Sequence, residues 1–202
     1  MLFRSGDVEI NPGYRSLADI RKCRGLKIAH LNIRSLRQKT NSVSLEGLDN
    51  KTIDVLTFSE TWLDDTFQDA EIALPGIMCI RRDRIVKKIG YGGVAVYVRE
   101  GLPFRVRNDI DSGVNECLWI EFNRVKCRPT LICCAYREPE AVFSEFIFNL
   151  YNGMSSINLD KCDLVLLGDL NVNMLTHSIC SKKEKQELLN RSSRVHWTSH
   201  NS

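Results

Sequence analysis

The sequence predicts a layered α/β fold, and three observations carry that reading. Six short runs, LKIAHLNI, DVLTFSE, GGVAVYV, CLWIEF, TLICCAY and DLVLLG, are rich in Val, Ile, Leu and aromatics, and several are bounded by Gly, Asp or Asn, as strands are. Before the last of them, AVFSEFIFNLYNGM places apolar residues at Val142, Phe146, Ile147, Leu150 and Tyr151, the stripe of a helix lying against a sheet. The chain has 202 residues, 43% hydrophobic and 26% charged, enough for one domain with a core.

Taken in order, residues 1–25 combine turn chemistry at Asn11-Pro12-Gly13 with no sustained period, and they are read as a leader outside the fold. Organised structure is expected from Leu26. A weaker helix is assigned to Ser44 through Lys51, with Gly47 and Asn50 counting against it. Glu138-Pro139 suits a loop that leads into the helix over residues 141–154. After Met174 the chain turns polar and charged; a helix over Lys182 to Asn190 is allowed, and no strand is expected beyond it. The organisation expected is a leader over 1–25, an incomplete domain over 26–176 and a polar tail over 177–202.

Composition narrows the function classes. The 28 Lys and Arg against 25 Asp and Glu leave a net charge of +3, too little by itself to announce nucleic-acid binding. Eight cysteines occur without a C-x-x-C, and Cys133 and Cys134 adjoin inside an apolar run, so they read as reduced strand residues, not zinc ligands or disulfides. No stretch reaches the ~18 apolar residues of a membrane span, and no signal-peptide core is seen at the N-terminus. The cytoplasm or nucleus, and no membrane partner, are the expectations.

Chemistry concentrates at strand ends. LKIAHL leads to Asn32, DVLTFS to Glu60, TLICCA to Tyr136-Arg137, and LVLLG to Asp169 with Asn171 two positions on. Residues i and i+2 of a strand share a face, so Asp169 and Asn171 point at one target if the extended conformation continues past Gly168; the alternative is an ordinary turn. In layered α/β proteins functional groups gather where strand ends meet. Carboxylates, amides and the cationic Arg137 would suit a hard cation such as Mg²⁺ together with a phosphate ester, with Glu60 able to supply a ligand. The cluster RRDRIVKK sets five cationic side chains around Asp83, and Arg84 among them is a candidate nucleic-acid contact. Its rival reading is a solvated edge whose charges limit strand pairing.

Five blocks, HLNIRSL, SETWLD, RRDR with YGGVAVYV, AYREP and GDLNVN, resemble in order and spacing the apurinic-type endonuclease domain of non-long-terminal-repeat (LINE-type) retrotransposons. That domain belongs to the endonuclease/exonuclease/phosphatase superfamily, and the resemblance covers roughly Leu26 to Leu175. It implies a DNase I-like four-layer α/β sandwich, with Mg²⁺ or Mn²⁺ as cofactor and DNA as partner, acting as a monomer that nicks target DNA. It further implies that Asn32 and Glu60 serve the metal, that Tyr136 contacts the scissile phosphate, and that Asp169 with Asn171 orients the attacking water. Each residue keeps a plainer rival: Asn32 a turn cap, Glu60 a solvated strand end, Tyr136 a packing aromatic, and Gly92-Gly93 a tight turn without chemistry.

The sequence also departs from the family. Its Ser-Asp-His motif has no counterpart, since Thr198-Ser199-His200 lacks the aspartate and follows no apolar strand. The last strands are therefore expected to be missing and activity impaired, as in a truncated or frame-shifted copy. GDVEINPG resembles a 2A-like ribosome-skipping peptide, except that Tyr14 replaces its last proline. The alternatives to a DNA endonuclease are a small-substrate phosphoesterase of the same fold and a non-catalytic nucleic-acid-binding relic.

Overall fold

Alternation along VAVYV dictates how the first sheet is buried. Val94, Val96 and Val98 join one apolar cluster, Ala95 and Tyr97 another, and all five are fully buried, so this strand is covered on both faces. The structure, a computed structural model, describes residues 24–43, 52–84, 91–171 and 195–198, with backbone alone for 40–43 and 195–198.

The elements are β1 (Ile28–Asn32), α1 (Leu36–Val43), β2 (Val55–Ser59), β3 (Ile77–Arg82), β4 (Val94–Arg99), β5 (Phe104–Val106), β6 (Glu116–Phe122), β7 (Thr130–Tyr136), α2 (Phe143–Ser155), β8 (Asp163–Asp169) and β9 (Val195–Thr198). They build a four-stranded sheet in the order β1-β2-β4-β3 and a five-stranded sheet in the order β5-β6-β7-β8-β9. Both sheets are mixed: β1 runs parallel to β2, and β7 to β8 to β9, while the other neighbours are antiparallel.

The sheets face each other across Val55, Val94, Val96, Val98, Ile120, Phe122, Ile132 and Leu167. Outside the second sheet, Phe146 and Leu150 of α2 cover Trp119, Leu131, Cys133 and Leu166. Outside the first, Leu36 of α1 with Leu63, Ile72 and Leu74 covers Phe58 and Tyr97. Four layers result, as the resemblance implied. β7 is buried at every position, which is why TLICCAY reads as a continuous apolar run. Cys133 faces α2 and Cys134 faces the opposite sheet, the alternation expected of neighbours on a strand.

Four elements differ from the sequence reading, the shortest being β5, a three-residue edge strand with no room for a period. β3 was not expected because its C-terminal half is charged; it is an edge strand, where Arg81 pairs with Asp69 at 2.8 Å and Asp83 at 3.3 Å. Charge on an edge discourages further pairing, the rival reading given to that cluster. The expectation of no strand beyond Asn190 is corrected by β9, which pairs in parallel with β8 from Leu164↔Val195 to Leu167↔Thr198. Four residues are too few to show a period, so the ladder and not the pattern defines this strand. α1 was also missed, for LRQKTNSV has no apolar stripe. The leader up to residue 23 and the helices assigned to Ser44–Lys51 and Lys182–Asn190 lie outside the described residues. Among the described residues no helix is long and apolar enough to cross a membrane.

Burial of thiols and a phenol sets an alkaline limit. Burial pushes Cys79 up from 9.0 to about 11, raises Cys133 and Cys134 above 9.0, and raises Tyr97 above its usual 10.0. These groups release protons from the unfolded chain first, so their contribution to stability is complete below about pH 9 and is lost as pH rises through the folded values. Urea midpoints are therefore expected to be flat from about pH 7 to 8.5 and to fall steadily above about pH 9; a midpoint unchanged at pH 10.5 would contradict this burial.

Candidate active site

The parallel pairs of the two sheets, β1 with β2 and β7 with β8, end on one side, where Asn32 meets Asp169. In the first, Asn32 closes β1 opposite Ser59, the last residue of β2, and Glu60 follows with φ at 55°. A non-glycine residue at positive φ needs its turn to be held from outside. Here Ser35 N–H donates to the Glu60 carbonyl at 3.0 Å and Leu36 N–H to the Thr61 carbonyl at 2.8 Å, while Thr61 and Trp62 donate to the Gly93 and Gly92 carbonyls at 3.3 and 3.0 Å. A Cβ on Gly93, whose φ is +83°, would lie 2.5 Å from Thr61 Oγ1. The glycine pair, read from the sequence as a tight turn, seats the loop that presents Glu60.

In the second sheet, register alone aligns three polar side chains at this end. Glu116 of β6 stands opposite Tyr136 of β7, and Tyr136 opposite Asp169 of β8. One amide joins the two sheets: Asn32 Nδ2 donates to Glu60 Oε1 and to Asp169 Oδ2, each at 2.7 Å, across 28 and 137 residues of sequence. Its Oδ1 is buried without a partner. Tyr136 is buried, and its phenol is pushed up to about 12, first by burial and then by the carboxylates of Glu60, Glu116 and Asp169. The phenol is therefore neutral, and a donor, across physiological pH.

Asn171 and Arg137 sit at the border. The Asn171 N–H donates to Asp169 Oδ1 at 2.9 Å, and its Nδ2 donates to the Arg137 carbonyl at 2.7 Å. Arg137, expected from the sequence to meet a phosphate, is engaged with backbone here. Only 6% exposed, it turns Nε to the Leu170 carbonyl at 2.6 Å, Nη2 to that of Asn171 at 2.6 Å, and Nη1 to those of Glu138 at 3.0 Å, Pro139 at 3.3 Å and Ala141. Backbone carbonyls leave no signature in a sequence, so the clamp was not legible there. Burial lowers its pKa, an effect that Asp169 opposes. Because lysine is a point charge and not a fork, Arg137→Lys is expected to cost about 2–3 kcal/mol in urea unfolding and to shift the Asn171 amide resonances. An unchanged midpoint would remove the clamp.

Glu116 is the main residue that the sequence reading passed over. Its Oε2 accepts from Gly93 N–H at 2.6 Å and its Oε1 lies 3.1 Å from Arg84 Nε; burial raises its pKa. Arg84 also pairs with Glu138 Oε2. The polar residues singled out in the sequence stand where strands finish, whereas β6 is antiparallel to β7 and starts at the site. Beneath Asn32 on the same face of β1, His30 Nδ1 shares a hydrogen bond with Thr57 Oγ1 at 2.9 Å.

The donors suit a hard divalent cation. Two carboxylates and a buried, unpartnered amide oxygen are all oxygen ligands, and among the described residues no group of three or more His, Cys, Asp or Glu forms a cage. Mg²⁺ characteristically takes one or two carboxylates and keeps several waters.

The comparisons agree with this architecture. A model described as the endonuclease/exonuclease/phosphatase family matches residues 23–201. Among solved structures, the endonuclease domain of TRAS1, a telomere-specific non-LTR retrotransposon, superimposes with a TM-score of 0.56 at 9% identity, covering 81% of this chain and 68% of that one. The catalytic domain of APE2 from Xenopus laevis gives 0.52 at 17% identity, covering 83% and 66%. ANGEL2, a 2′,3′-cyclic phosphatase, gives 0.49 at 16%, covering 73% and 53%. No curated protein sequence matches.

Proposed function

Because the chain belongs to the endonuclease/exonuclease/phosphatase family, we propose that it hydrolyses phosphodiester bonds in DNA with Mg²⁺ or Mn²⁺, as a monomeric endonuclease of retrotransposon type. The observation that carries this reading is the Asn32 amide bridging Glu60 and Asp169 beside a neutral Tyr136. Glu60 and the unpartnered Asn32 Oδ1 would hold the cation, and when bound it supplies charge neutralisation for the phosphate.

The remaining roles fall to the chain. Tyr136 donates its phenolic hydrogen to a phosphate oxygen and keeps that capacity through the neutral range, because its pKa is pushed up to about 12. Asp169 orients a water and accepts its proton, with its own carboxylate fixed by Asn32 and by the Asn171 N–H. Asn171, clamped through Arg137, keeps that loop from drifting as charge develops. His30, beneath Asn32, is engaged with Thr57.

Supercoiled plasmid nicking decides between substrate classes when run beside hydrolysis of inositol phosphates. Nicked circles that accumulate with Mg²⁺ and stop with EDTA are the expected result. Hydrolysis of the small phosphates with intact plasmid would instead make the chain a small-substrate phosphoesterase, and failure of both would leave a binding relic.

A further inference from the structure

Three arginines stand together at the end of β3, and their partners distinguish them. Arg81 is held by Asp69, Asp83 and the Phe67 carbonyl. Arg82 is held by Asp111 and by the carbonyls of Cys117 and Gly113. Arg84 alone of the three reaches the row that contains Tyr136, through Glu116 and Glu138.

Its two carboxylates are unlike. Glu116 is 19% exposed, anchored by the Gly93 N–H, and holds the Nε edge of the guanidinium. Glu138 is 43% exposed, stands two residues beyond Tyr136, and takes Nη2. The peptide that carries Glu138 is fixed, since Arg137 grips the carbonyls of Glu138, Pro139 and Ala141. One side of the guanidinium is therefore permanently seated, while the other meets an anion that water already reaches. Arg84 is itself 17% exposed, so exchange is open only on the Glu138 side, and a phosphodiester presents the same oxygen pair to a guanidinium as a carboxylate does.

We propose that Arg84 is a phosphate clasp for the DNA strand beside Tyr136, and that the Glu138 carboxylate is its internal stand-in, displaced when a backbone phosphate binds. Glu116 keeps the guanidinium aimed while the exchange occurs. The assignment rests on the DNA reading above and adds to it a specific contact and a built-in competitor. It also separates the arginines of the cluster: Arg81 and Arg82 fix the edge strand, and Arg84 serves the ligand.

Binding of a fluorescent 20-base-pair duplex, read by anisotropy in EDTA over a salt series, tests the clasp without turnover. Glu138→Gln is expected to tighten binding about 3- to 5-fold, the scale of an exposed ion pair removed as competitor. Arg84→Met, which keeps the aliphatic stem, is expected to weaken binding about 10- to 100-fold and to lower the salt slope by about 0.9, one phosphate contact. In the Arg84→Met background Glu138→Gln should bring no gain. Glu140→Gln, at an exposed carboxylate two positions away, should change affinity less than Glu138→Gln does. Should Arg84→Met misfold, Arg84→Lys keeps the charge without the fork and should still abolish most of the Glu138→Gln gain.

An equal gain from Glu138→Gln with and without Arg84, or an equal gain from Glu140→Gln, would reduce the effect to net charge and overturn the proposal. Absence of DNA binding in every variant would overturn it too. A cycle that behaves as expected in a protein that nicks no plasmid would sustain the clasp and refute the endonuclease reading alone.

Discussion

Glu60→Gln is expected to lower the Mg²⁺-dependent nicking rate about 10³-fold or more and to abolish calorimetric Mg²⁺ binding, while the fold survives. The rate estimate follows from the several kcal/mol that a bound cation contributes to phosphoryl-oxygen charge stabilisation, at about 1.4 kcal/mol per tenfold. Survival of the fold follows from geometry. Gln keeps Oε1 in place to accept from Asn32 Nδ2, and the turn at Glu60 is pinned by backbone bonds from Ser35 and from Thr61 and Trp62 that do not involve its side chain. What changes is one negative charge. Urea unfolding of the variant should match the parent within about 1 kcal/mol, as for a substitution that leaves packing intact. If Glu60→Gln bound Mg²⁺ as tightly as the parent, Glu60 would not be the principal ligand.

The residues that bear this site were legible in the sequence to different depths, and chain direction explains the difference. Asn32, Glu60, Tyr136 and Asp169 all stand where a strand finishes, and parallel pairing of β1 with β2 and of β7 with β8 brings such finishes to one edge. Glu116 stands where an antiparallel strand begins, so the same edge was reached by a residue that a search of strand ends skips. Arg137 was named for its charge, but its partners are five carbonyls that no side-chain pattern records. Strands deep in the sheets announced themselves through burial on both faces, whereas β3, β5 and β9 lie at sheet edges, where a ladder forms without an apolar run. The four layers came from the family resemblance, since strand composition alone does not say how two sheets stack.

Gly168→Ala is expected to be the most disruptive single methyl in the described chain, because it strikes fold and site together. Gly168 has φ of +149° and stands opposite Ala135, in a strand pair that lies inside the second sheet. A Cβ built there lies 1.7 Å from the Ala135 carbonyl oxygen and 2.8 Å from its carbonyl carbon. Those are backbone atoms of a strand that is buried at every position, so no side chain can rotate to make room. The two strands must separate or bend, and overpacking of a buried sheet on that scale costs about 3 kcal/mol or more. The next pair in register is Tyr136 with Asp169, and Asp169 Oδ2 accepts from Asn32 at 2.7 Å, so the same displacement moves the proposed base away from the amide that links the sheets. Nicking should fall with stability, and Asn32 side-chain amide resonances should shift. Ala135→Gly added to Gly168→Ala should restore neither, for the collision is with the peptide group and not with the Ala135 methyl. A midpoint for Gly168→Ala within about 1 kcal/mol of the parent would mean that β7 and β8 pair in another register, and the alignment of Glu116, Tyr136 and Asp169 would fall with it.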